Sequence, residues 1–104
     1  MPSNVALPKA IRDSLQKIEP SGSADESIAR LLLRSARQQL AKYDALQSHF
    51  EAKYRVPFAA FKKRLLSRKE HDFALEQDLF DWDMAVTAAK DIKEEIRKLS
   101  SLVK

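Results

Sequence analysis

The sequence predicts an all-α protein: a long antiparallel helical hairpin with a short connecting helix and an N-terminal helix, together a small helical bundle. Three observations carry this. Turn formers are scarce, with one glycine and four prolines in 104 residues, whereas a chain of many short strands needs them at every tight turn. Ala, Leu, Lys, Glu and Gln, all strong helix formers, are abundant. Apolar residues recur in steps of three and four over long windows, the period of a helix with one buried face. A chain of this size buries about two-thirds of its unfolded surface, enough for one modest core. Residues 1–104 therefore read as a single helical domain, 1–22 as N-terminal helix and hinge and 23–104 as the hairpin core.

Each element has its own signals. In "PKAIRDSLQKI" Pro8 suits a helix start, and Leu7, Ile11, Leu15 and Ile18 supply an apolar stripe. "EPSGS" is the only Pro and Gly cluster and reads as a hinge. Ser23 and Glu26 then have capping-box spacing. From there Leu33, Ala36, Leu40, Tyr43, Gln47, Phe50 and Tyr54 form one stripe along a helix of about 30 residues, roughly 45 Å long, with Ile28, Leu32 and Leu46 widening its apolar face. Pro57 ends this spine, since it lacks a backbone donor and disfavours helical dihedrals at Val56. It also opens a short helix whose Phe58, Phe61 and Leu65 share a face. A last helix starts at Asp72 or Phe73, and Leu75, Leu79, Trp82, Val86 and Ala89, continued by Ile92, Ile96, Leu99 and Val103, form its stripe. It is expected to run antiparallel to the spine, with the N-terminal helix covering the open side.

Composition narrows the chemistry. Without cysteine there is no disulfide, thiolate nucleophile or cysteine zinc site. No apolar run approaches the roughly 20 residues of a membrane span, and "MPSNVALPKAIRD" lacks the apolar segment of a secretory signal. A cytoplasmic protein without membrane attachment is expected. A single glycine excludes the glycine-rich loops of nucleotide-binding folds, and neither cofactor nor metal is expected.

The net charge of +4 hides an abrupt reversal. Residues 56–70 contain Lys62, Lys63, Arg64, Arg68 and Lys69 against Glu70, whereas residues 71–83 contain Asp72, Glu76, Asp78, Asp81 and Asp83 with no lysine or arginine. Attraction across the turn is one explanation, although exposed pairs contribute only about 0–1 kcal/mol each. The other is a binding surface. At 100° per residue, Phe73, Phe80 and Met84 fall opposite the packing stripe of the last helix, flanked by Glu76, Asp81 and Asp83. Such a second apolar face must be covered by the N-terminal helix, by the short basic helix, by a second copy in a homodimer, or by another protein. Acids around an aromatic centre suit a basic protein partner.

Other chemistries are weaker. Arg30, Arg34 and Arg37 on the spine, with Lys62 and Lys63 on the short helix, are the residues for nucleic-acid binding, the main alternative. No helix-turn-helix or aromatic platform accompanies them. Arg64 and His71 are spaced like the Arg–His pair of helical RNA-cleaving domains, so a ribonuclease is a further alternative. A carboxylate metal site would use Asp78 with Asp81, or Glu76 with Asp83, and draw on Asp44 and Glu51 of the spine.

"KYRVPFAAFKKRL", a charged gap and then "ALEQDLFDWDMAVTAAKDI" resemble a widespread group of small, mostly uncharacterised prokaryotic proteins with the pattern Lys-Tyr-Gly-Met-Ser-Phe-x-x-Phe, a charged spacer and an acidic segment bearing Trp. Some are encoded beside a toxin and taken to be its antitoxin. The likeness covers about residues 50–96, with Tyr54, Phe58, Phe61, Leu65, Glu76, Asp78 and Trp82 at matching positions. Arg55, Val56 and Pro57 stand where the group has Gly, Met and Ser. The resemblance implies a non-catalytic, antitoxin-like protein that binds and neutralises a toxin encoded nearby, and it implies no catalytic residue.

Overall fold

A computed structural model describes residues 7–103, which form four helices: α1 (Lys9–Ile18), α2 (Ala24–Tyr54), α3 (Phe58–Leu66) and α4 (Phe73–Ser100). No strand occurs among the described residues. The leader reading also involves residues 1–6, which lie outside them. No helix of the described residues is long and apolar enough to cross a membrane.

The helix ends follow local chemistry. The Ser23 hydroxyl accepts the backbone N–H of Glu26 at 3.1 Å, one half of the predicted capping box. The other half is replaced: the Glu26 carboxylate pairs with Arg30 at 3.1 Å, and the Ser23 N–H donates to the Ser21 hydroxyl. Buried Ser27 donates to the Glu19 carbonyl at 2.6 Å and lies 2.7 Å from the Ser21 hydroxyl. This network ties the 19–23 hinge to α2. At the far end of α2, Arg55 adopts a left-handed conformation, φ 57° and ψ 32°, and its N–H closes the helix on the Glu51 carbonyl. Pro57 caps α3, and the Asp72 carboxylate caps α4 by accepting the Leu75 N–H at 3.2 Å.

α2 and α4 form the antiparallel hairpin. Tyr54 meets Asp78, Phe50 stacks on Trp82 at 5.5 Å, Gln47 lies beside Val86 and Ala89, and Leu33 shares a groove with Val103. The core is thickest where α3 folds against α4. There Trp82 is 0% exposed, enclosed by Phe50, Tyr54, Phe58 and Phe61 with ring centroids 5.3–6.2 Å away. Beyond this cluster buried Ala29, Ala36, Ala85 and Ala89 line the seam with little side-chain volume. The molecule is a rod of 60 × 28 × 23 Å with a radius of gyration of 19.7 Å, against about 13 Å for a compact domain of this length.

α1 packs on α2 and buries only Leu15 of its stripe, while Ile11 and Ile18 are exposed. The expected cover over the open side of the hairpin is therefore confined to one end. Ten residues of helix span only about 15 Å, and the hinge holds them beside the start of a 31-residue partner. Leu32, expected to widen the packed face of α2, is exposed and joins Ile28, Leu99 and Leu102 in an open apolar groove.

Candidate functional site

The outer face of α4 lies at the thick end of the rod. Phe73, Phe80 and Met84 are 81%, 68% and 46% exposed, so neither α1 nor α3 covers them. They are aligned because seven residues return a helix almost to the same azimuth and four overshoot it only slightly. On the opposite side of α4, Leu75, Leu79 and Val86 pack against the aromatic core.

The acids around this face differ in their engagement. Glu76 Oε1 lies at hydrogen-bond distance, 2.8 Å, from His71 Nδ1, and Asp81 accepts from Gln77 Nε2 at 3.0 Å. Asp83 has no hydrogen bond or ion pair among the described residues. The same holds for the side chains of Lys62, Lys63 and Arg64, apart from Lys62 lying 5.9 Å from the centroid of the Phe58 ring. Among the described residues no ion pair joins the bases of residues 62–69 to the acids of α4. Direct ion pairs across the turn therefore do not account for the charge reversal.

Asp78 has a different role. It receives hydrogen bonds from Lys53 at 2.6 Å and from the Tyr54 hydroxyl, so it pins α4 to the end of α2. The Lys53 bond, followed by the Tyr54 bond, holds its carboxyl below the usual range. The same bond raises Lys53, while burial first and the Asp78 bond second push Tyr54 up. Local sequence patterns do not reveal the contact among these three residues, because it depends on the register of two helices about 25 residues apart in the chain.

The arginines of the alternative reading border the hairpin seam. Arg30, Arg34 and Arg37 line a groove of about 580 Å³ with Leu33, Ala41 and Val103. Arg30 is paired with Glu26, and Arg34 with Glu19 at 3.0 Å. Lys62 and Lys63 lie at the other end, beside a shallow groove of about 650 Å³ formed with Phe58, Ala59, Leu66 and Ser67. The structure thus divides these five bases between two separate places. Leu66, 70% exposed, was not singled out by the periodicity; its signal is an apolar residue off the Phe58, Phe61 and Leu65 stripe.

His71 is exposed and bonded to Glu76, while the Arg64 carbonyl accepts from Ser67 at 2.9 Å; no hydrogen bond links Arg64 and His71. Among the described residues no three His, Asp or Glu side chains form a group that could hold a metal ion. Asp78 is occupied by Lys53 and Tyr54, and Asp44 accepts from Gln47 within its own helix. Compared with known proteins, the chain matches no family model, no curated protein and no solved structure.

Proposed function

We propose that the chain is a non-catalytic protein-binding module of the cytoplasm, an antitoxin-like protein whose α4 outer face captures a basic protein encoded nearby. The observation that carries this reading is the bare row of Phe73, Phe80 and Met84 on a helix whose opposite face already fills the core. A single helix offering apolar side chains on both sides has one side left for something else. Exposed aromatics at the centre of an acidic rim match the anatomy of a binding surface, in which buried anchors supply affinity and rim charges speed encounter. The resemblance supports the same reading: of its matching positions, Tyr54, Phe58, Phe61, Leu65 and Trp82 lie in or against the aromatic core, and Glu76 lies on the acidic face.

Nucleic-acid binding draws on less. Arg30 and Arg34 already face carboxylates, Arg37 shares their groove, and Lys62 and Lys63 lie near the far end of a 60 Å rod. Titration against the product of the adjacent gene tests the proposal. Phe80→Ala should weaken binding by at least about 2 kcal/mol. Asp81→Asn with Asp83→Asn should instead slow association and flatten its salt dependence. Binding that ignores both changes, or a salt-dependent gel shift with nucleic acid alone, would overturn it.

A further inference from the structure

Two unsatisfied surfaces occur at the same end of the rod, and they are complementary. On α3, Phe58, Ala59 and Leu66 form the shallow apolar groove beside Lys62 and Lys63. On α4, Phe73, Phe80 and Met84 form an apolar ridge beside Glu76, Asp81 and Asp83. Both carry exposed large apolar side chains, and their charges are opposite. Within one chain the two sets form no ion pair among the described residues. The surfaces belong to helices joined by only the six residues 67–72, so they cannot be brought face to face without dismantling the packing of Phe61 and Leu65 on α4.

We propose that a second copy of this chain makes the contact that one copy cannot: a twofold dimer in which the α4 ridge of each copy seats in the α3 groove of the other. This rests on the reading of the α4 face as a protein-binding surface and adds its occupant when no other partner is present. Twofold symmetry uses each contact twice, so each copy contributes one ridge and one groove and no surface of either kind is left over. Lys62 and Lys63 then oppose Asp81 and Asp83 across both halves. A protein partner that takes the α4 face must displace the second copy, so dimer formation and partner capture compete.

Sedimentation velocity on the full chain tests this over a range of protein concentration and salt. The expected result is a monomer–dimer equilibrium that shifts toward monomer as salt screens the facing charges. Lys62→Glu with Lys63→Glu, or Asp81→Lys with Asp83→Lys, should each weaken the homodimer at least about tenfold, since each variant opposes like charges in both halves. Mixed in equal amounts, the two variants should pair again, because both halves of the mixed dimer regain opposite charges. These side chains lie at the surface, and an unchanged helical circular dichroism spectrum confirms that each variant is folded.

A chain that stays monomeric, species that grow beyond the dimer, or charge-reversed variants that do not recover on mixing would overturn the dimer. Titrating the Lys62→Glu, Lys63→Glu variant with the adjacent gene product separates this from the partner reading. Partner binding that depends on Phe80 but occurs in a chain that never dimerises defeats the dimer alone. A dimer with the expected charge behaviour but no partner binding defeats the partner reading and leaves the dimer standing.

Discussion

Trp82 is the most enclosed side chain of the thick end, and its indole N–H meets no hydrogen-bond acceptor. An unpaired buried donor costs about 1–3 kcal/mol, so here the aromatic packing must outweigh that cost. The two contributions can be separated. Trp82→Ala should lose about 3–5 kcal/mol through lost burial and a cavity. Trp82→Phe should lose less than about 2 kcal/mol, because removing the unpaired N–H offsets part of the lost volume. Urea unfolding followed by circular dichroism distinguishes these from equal losses, which would mean that the N–H is not a liability. Arg55 is the second residue-scale tension. Its positive φ suits glycine, so Arg55→Gly should raise stability by at most about 1 kcal/mol. A loss would show that the arginine side chain contributes more than its backbone strain costs.

At the scale of elements, the Lys53, Tyr54 and Asp78 trio sets how firmly α4 is held to the end of α2. Asp78 has a lowered folded-state pKa, so its contribution is complete above the unfolded carboxylate range and disappears as pH falls through the lower folded value. Lys53 and Tyr54 are raised, so their contributions are complete below their unfolded values near about 10 and disappear as pH rises through the higher folded values. Stability measured against pH should therefore decline on both the acid and the strongly alkaline side. Asp78→Asn should flatten the acid decline and reduce the alkaline one. An unchanged acid profile would mean that the trio is not an anchor. Helix boundaries were legible in the sequence because Ser23, Pro57 and Asp72 punctuate them locally. The trio was not, since it needs the register of the hairpin. Nor was the position of α1, which depends on a hydrogen bond from Ser27 to the backbone of the hinge.

At the scale of the whole molecule, periodicity correctly placed Phe73, Phe80 and Met84 on the side of α4 opposite Trp82. It could not say whether that side was bare, because a helix apolar on two faces has the same pattern in a three-layer bundle and in a two-layer rod. The answer lies in reach: α1 is too short and held too near the start of α2 to cover it. The rod therefore keeps its core in one face of α4 and leaves the other available, which is the central claim. Its most direct test replaces Phe73, Phe80 and Met84 together by Ser and follows thermal unfolding through Trp82, the only tryptophan. The protein should be as dilute as the fluorescence allows, so that no second copy contributes. Changes confined to an exposed face alter stability by about 0.5 kcal/mol or less per site, so the three together should lower Tm by about 10 °C at most while binding to the adjacent gene product is lost. Collapse of Tm, with the remaining folded fraction still binding normally, would show instead that these three side chains belong to the core.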